Sequence, residues 1–501
     1  DGVYFERTTW YQRYTVDFYT HFLILSRLNE DVTKTDNGKL AEKLQLALDF
    51  QMHSTRPDGT TPFIGDDDGG RMLPHSLRAV NDFRSGLATG AALFGRSDYK
   101  FVAQEPAEET LWLLGAEGMR KFAKLSSREP RETSKAFADG GFYVMRESWT
   151  DSANFMLLDG GKHGVGNCGH SHADALSYEL AVCGTTLLVD PGTYTYHESV
   201  ATRDFFRSTR AHNTLTIDGA SSSEPLESFK WRNIADIQTN NWKAHNRFDF
   251  WEGSHNGFSR LSPEPIIHTR NVFFIKRDYW ILRDSVNATA THDYELNFHF
   301  DAGTTPKLTI SENAIPIVRQ VADGDAGLET FVFGDSGVWQ TYEDWIAPVF
   351  GVKIPAPSAV FASSGTGTQE FFTFLLPSQK NAPVPQVYET TARAGRAFSI
   401  EFNNYHDLFV YGDGDEQNLV RTKRFDSNFR FVWARFGADG QSIEEIILVD
   451  GSHLIFDGKE IISNPKKLNY AVVTRNNNKF HITTEDTTFS VNLSNKTRNN
   501  S

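Results

Sequence analysis

The sequence predicts an α+β chain in which helices come first and antiparallel β-structure follows, in more than one domain. Three observations predict it. Apolar residues recur at helical spacing up to about residue 130. From Gly140 the texture changes to short alternating runs separated by Gly, Asp and Asn turns, and it stays so to the C-terminus. A length of 501 residues also exceeds one ordinary core, so two or three domains are expected. Helix-rich and strand-rich regions in succession imply segregated layers rather than βαβ winding.

Trp10 to Asn29 and Lys39 to His53 each carry the helical pattern. Between Arg56 and Ser76 the run RPDGTTPFIGDDDGGRMLPHS breaks it, a loop of the kind that decorates one rim of a helical array. A third helical zone follows from about Phe83 to Leu125. The segments GFYVMRE, ANFMLLD, LSYELAV and TTLLVDPG then read as antiparallel strands, with NVFFIKRDYWILRDSV and FFTFLLPS further on. The expected division is a helical domain over 1–133, a central antiparallel β-domain with the candidate metal site over 134–395, and a C-terminal β-domain over 396–501. The last boundary is placed in the stretch Ala392 to Ala397.

A formal net charge of −14 argues against a nucleic-acid partner, since a phosphate backbone is met by clustered Lys and Arg. An anionic sugar remains compatible with a locally basic cleft, and Arg203, Arg207 and Arg210 form such a cluster. Two cysteines, Cys168 and Cys183, are too few for a disulfide framework or a cysteine zinc site, although their spacing permits one pair. No apolar run is long enough to span a membrane. Asp1 already lies in what reads as a working motif, so an upstream segment is expected to precede it.

Candidate chemistry concentrates between Gly161 and Asp218, where His163, His170, His172, Asp174, Asp190, His197 and His212 fall together. On a strand, His170 and His172 point to one face, so both imidazoles can enter one pocket. Asp190 closes an apolar strand and His212 follows Arg210. Two imidazoles and a carboxylate from neighbouring strands suit a tetrahedral zinc-like site, and hydrogen-bonded sheet histidines without an ion are the equal alternative.

GHSHADALSYEL, LLVDPGTYTY and FRSTRAHNTLTIDG, in that order, resemble the heparinase II/III-like family of polysaccharide lyases. DGVYFERTTWYQRYTVDFY at the start resembles the same family's DG-x-x-x-E block. The resemblance implies an (α/α) toroid, incomplete at its N-terminus here, followed by antiparallel β-sandwich domains. It implies His172, Asp190 and His212 as ligands of one divalent metal, zinc ahead of manganese or calcium, structural rather than redox. It also implies Tyr11 as the catalytic acid, His170 at the catalytic centre, and a bacterial protein that is secreted or periplasmic. That family usually places a carboxylate-neutralising Asn, or Asn-His, well upstream of the Tyr block, in the segment expected to precede Asp1.

The implied reaction is β-elimination on a uronic-acid polysaccharide, whether a glycosaminoglycan such as heparan sulfate, chondroitin or hyaluronan, or an alginate. It needs charge stabilisation at the uronate, removal of the C5 proton, and protonation of the departing oxygen. Tyr11 fits the acid, or acid and base; His170 fits the base or the neutraliser. Glu6, Arg13, Tyr194, Arg207 and Arg210 are the expected substrate contacts, with Tyr196 as a further stacking candidate.

Two rival readings differ in kind. A glycoside hydrolase on the same helical scaffold could draw an acid and a base from Asp66, Asp67, Asp68 and Glu6. A non-catalytic exopolysaccharide-binding protein would keep the fold without turnover. The acidic loop could also bind calcium, but it lacks EF-hand spacing and a solvated loop is expected.

Overall fold

In a computed structural model, the residues described are all but 30–36, 74–76, 312–314, 323–325, 381, 416, 478 and 493–501. Helix α1 spans Thr9–Leu28 and is capped by Thr8, whose hydroxyl accepts the Tyr11 N–H at 3.1 Å. Helix α2 covers Asn37–Ser54. The third helical zone is three helices: α3 at Arg84–Phe94, α4 at Ser97–Ala103 and α5 at Glu108–Lys124. Gly95, with φ of 70°, ends α3, and Pro106 bars a helix through residue 105. Val16, Leu23, Leu44, Leu48, Leu87, Ala91, Tyr99 and Phe122 form the helical core. Gly90 lets α3 approach α2 closely, because a Cβ there would lie 2.7 Å from the Leu48 side chain.

Five strands follow as an antiparallel meander: β1 Lys135–Phe137, β2 Phe142–Arg146, β3 Phe155–Asp159, β4 Tyr178–Val182 and β5 Thr185–Leu188. Alternation gives this sheet two buried faces. Tyr143, Met145, Met156, Leu158 and Leu180 enter the large β-core. Phe142, Val144, Phe155, Leu157 and Ala181 meet Phe50 and Ile64 from the helical part. The long segment between β3 and β4 therefore emerges where helices and sheets meet.

An eight-stranded sheet and a four-stranded sheet complete the large β-core. The four-stranded sheet pairs Val338–Val349 with Val352–Thr366, then Thr291–His299, then Leu215–Ile217. Two compact units result: Asp1–Thr309 with Pro316–Ala382, and Ile310–Ile315 with Pro383–Ser501. The second contains a ten-stranded sheet around its own core of Val410, Phe425, Val432, Ile446, Leu448 and Phe480.

The order is that of the sequence prediction, helices and then antiparallel sheets. The position 133/134 lies inside the first unit, and the second unit resumes at Pro383. The pairing that the cysteine spacing left open is decided, and one expectation is corrected. Cys168 and Cys183 are both free, the first buried and the second exposed. His170 and His172 sit in the irregular segment between β3 and β4, not on a strand.

Candidate active site and metal centre

Three segments meet at the N-terminus of α1. Thr9 N–H donates to the Ile64 carbonyl at 3.1 Å, and the Ile64 N–H donates to Thr9 Oγ1 at 3.0 Å. Two residues on, the Asp66 N–H donates to the His170 carbonyl at 2.9 Å. The first turn of α1, the acidic loop and the histidine segment are thus tied by backbone bonds, and Tyr11, Asp66 and His170 come together.

Asp66 is the hub. It is fully buried, and both its oxygens are met by Arg203, at 2.5 and 2.7 Å. Arg203 lies on helix α6, Val200–Phe206, and is itself buried. His170 Nδ1 is 3.2 Å from one Asp66 oxygen and His172 Nε2 is 3.1 Å from the other. The two imidazoles therefore share one carboxylate. Burial alone would raise the Asp66 pKa, but the two histidine hydrogen bonds and the Arg203 charge outweigh it and keep the group ionised.

The His172 tautomer follows, because a carboxylate accepts and Nε2 must donate to it. His172 Nδ1 is left with its lone pair, 3.3 Å from His212 Nε2. His212 Nδ1 in turn donates to the Ser208 carbonyl at 2.7 Å, so its Nε2 also carries a lone pair. An Asp190 oxygen lies 3.4 Å from that nitrogen. Two lone pairs and a carboxylate facing one another repel unless a metal ion or a proton stands among them, and burial raises the Asp190 pKa. One ligand atom from each of His172, Asp190 and His212 lies within 4.8 Å of the others, so the group can hold a metal ion. Asp66 behind His172 supplies the carboxylate support common behind a ligating imidazole.

Asn213 locks this centre to the sheets. Its side-chain amide donates to the carbonyls of Tyr178 at 2.8 Å and Val189 at 3.1 Å, either side of the β4–β5 hairpin that leads to Asp190. Arg270 donates to the carbonyls of Asn213 and Leu176 at 2.8 and 2.7 Å, and is paired with buried Asp284 at 2.8 Å.

Beside the hub, the rings of Tyr11 and His170 lie 4.7 Å apart and the hydroxyls of Tyr11 and Tyr196 3.0 Å apart. Phe229 packs against His170 at 5.5 Å and Tyr196 at 5.0 Å. The His170 side chain keeps 26% of its surface exposed, enough for a substrate to reach it. Burial opposes charge on His170, but its Asp66 hydrogen bond and the Asp66 charge prevail and raise its pKa. Burial raises the Tyr11 pKa, against the Tyr196 hydrogen bond, so the phenol stays protonated at neutral pH.

The remaining predicted residues are dispersed. Glu6 is half-buried and its charge favours the imidazolium of His170. Arg13 is buried among Glu109 at 2.7 Å, Asp17 at 2.9 Å and the Phe83 carbonyl at 3.1 Å, within the helical core rather than with Tyr11. Arg207 is buried on Asp204 and on the carbonyls of Glu227 and Ser228. Arg210 lies over Tyr342 at 5.3 Å and 3.6 Å from Asp344. Tyr194 faces Lys353 at 4.8 Å.

Asp66 and Arg203 are the site residues that sequence reasoning undervalued. The acidic loop reads as solvated, yet Asp66 and Asp67 are both buried, and burial pushes Asp67 up to about 7. The available signal was an Asp run framed by Gly65 and Gly69, both with positive φ, which turns the chain tightly enough to bury the carboxylates.

A family model described as Heparinase II/III-like, C-terminal, matches residues 129–386, just over half of the chain. A heparin-sulfate lyase of Pedobacter heparinus is 23% identical over 385 residues, covering 75% of this chain and 51% of that protein. A heparin-sulfate lyase of Bacteroides stercoris is 22% identical over 353 residues, covering 69% and 46%. The crystal structure of heparan sulfate lyase HepC from Pedobacter heparinus superposes with a TM-score of 0.62 at 20% identity, covering 80% of this chain and 57% of that one. The fold is shared, and the chain spans about half the length of the curated relatives it matches.

Proposed function

The chain belongs to the heparinase II/III-like family, and from that premise we propose that it is a polysaccharide lyase cutting a uronic-acid glycosaminoglycan by β-elimination. The observation that carries the reading is the pairing of a protonated Tyr11 phenol with a reachable His170 imidazole, 4.7 Å apart and anchored on ionised Asp66. Asp66 occupies His170 Nδ1, which leaves Nε2 for the substrate.

In the reaction, His170 Nε2 takes the C5 proton, the C5–H electrons form the C4–C5 double bond, and the C4–O bond breaks. Tyr11 gives its phenolic proton to the departing glycosidic oxygen, with the Tyr196 hydroxyl holding the phenol in place. Imidazole and phenol recover their protonation states through water after product leaves. The relatives' names, heparin-sulfate lyase, favour a glycosaminoglycan over an alginate.

The two imidazoles and one carboxylate at His172, Asp190 and His212 fit zinc ahead of manganese or calcium. A divalent cation bound there would neutralise Asp190 and fasten the histidine segment to the sheets, a structural contribution. Among the described residues no helix is long and apolar enough to cross a membrane. A polymer substrate fits secretion or periplasmic residence in a bacterium.

The test is ultraviolet absorbance of the conjugated alkene on heparan sulfate, chondroitin sulfate, hyaluronan and alginate, with a reducing-end assay in parallel. Rising absorbance on a glycosaminoglycan supports the reading. Reducing ends without absorbance would replace it by hydrolysis through the acidic loop, and binding without either by a non-catalytic role.

A further inference from the structure

The hairpin Val338–Val349 and Val352–Thr366 reaches the site from the sheet side. The Gly351 N–H donates to the Tyr194 carbonyl at 2.9 Å, and the Ala347 N–H donates to the Pro191 carbonyl at 2.7 Å. Phe350 packs on Tyr196 at 5.1 Å, and Tyr196 touches Tyr11 through its hydroxyl. The hairpin is therefore continuous with the catalytic pair.

On this hairpin the Lys353 ammonium lies 4.8 Å from the Tyr194 ring centre and 5.1 Å from that of Trp345. Trp345 is 38% exposed on the outer side of its strand, more than is usual for an indole. Among the described residues no carboxylate lies within ion-pair distance of Lys353. A half-buried cation between two aromatic faces, without an acidic partner in an acidic protein, leaves positive potential beside surfaces suited to a sugar ring. Tyr194 is two residues from Tyr196 in sequence, so the cation lies on the same segment as the catalytic pair's partner.

We infer that Lys353, set between Tyr194 and Trp345, forms a subsite for an anionic sugar unit next to the one that is cleaved. This rests on the polysaccharide reading above. Lys353 supplies the charge that meets a carboxylate or sulfate, and the exposed Trp345 face takes the apolar side of the ring. Neither residue touches the reacting atoms, so both act on substrate affinity.

The experiment compares wild type with K353A, K353R and W345A on heparan sulfate, reading alkene kinetics and retardation in heparan-sulfate affinity gels. K353A raises KM roughly tenfold, changes kcat less, and flattens the salt dependence of KM. K353R retains most of the affinity, W345A raises KM as well, and all variants melt as wild type does. With desulfated heparan, a vanished K353A effect identifies sulfate as the group met, and a retained one identifies carboxylate. A K353A KM within about twofold of wild type overturns the subsite. Should wild type produce no alkene on any uronate polymer, the lyase reading fails separately. The gels then decide: selective loss of retardation in K353A keeps the subsite, and equal retardation removes it.

Discussion

Arg203 grips Asp66 with both terminal nitrogens, at 2.5 and 2.7 Å, and neither side chain meets solvent. That pair carries the site, since the same carboxylate holds His170 and His172. Replacing Arg203 by Met leaves a buried charge without its cation, a change that costs about 3–5 kcal/mol. Chemical denaturation of R203M measures it; a loss below about 1 kcal/mol would mean that Asp66 is held by the histidines alone.

Tyr11 gives the sharpest catalytic prediction. Tyr11→Phe removes the acid and leaves the capped helix intact, because the cap uses the Tyr11 backbone N–H. The expected outcome is a fall in kcat of roughly a hundredfold or more with an unchanged melting temperature. Near-normal turnover would assign the proton to another group.

Metal removal is expected to act on stability. Prolonged chelation, or His212→Ala, lowers the melting temperature, and elemental analysis of the protein as purified finds one zinc per chain that H212A lacks. Equal melting before and after chelation would leave the facing lone pairs of His172 and His212 to be balanced by a proton.

The scaffold behind the candidate metal centre has its own pH signature. Burial would raise the Asp284 pKa, but the Arg270 charge and the His268 hydrogen bond prevail and hold it at about 2. A depressed folded pKa gives stability that is present above the unfolded value near 4 and is lost as pH falls toward 2. The contribution is on the order of 2 kcal/mol. Denaturation of wild type and D284N across pH 2 to 6 tests the sign: the difference should shrink as pH falls, and a constant difference would contradict it.

The helical and β regions were legible because periodicity reports the buried face directly. Trp10, Val16 and Leu23 on α1 and the alternating Tyr143 and Met145 on β2 show it. The metal-ligand candidates His172, Asp190 and His212 were legible through family motifs and converge, while His170 and His172 meet although neither is on a strand. A carboxylate shared from Asp66 brings them together, which a period-two argument cannot supply. Arg13 illustrates the limit on the other side. It is an expected substrate contact two residues from Tyr11, but a helix turns residues two apart to different faces, and Arg13 faces Glu109. Charge partners distant in sequence, such as Arg203 with Asp66 at 137 residues' separation, leave no local trace.

The most direct test of elimination is the mass of the product formed from heparan sulfate in heavy-oxygen water. Elimination gives ends that are one water lighter than hydrolysis products and carry no heavy oxygen, formed by wild type and lost in Tyr11→Phe. Saturated ends carrying one heavy oxygen would contradict it and make the protein a hydrolase.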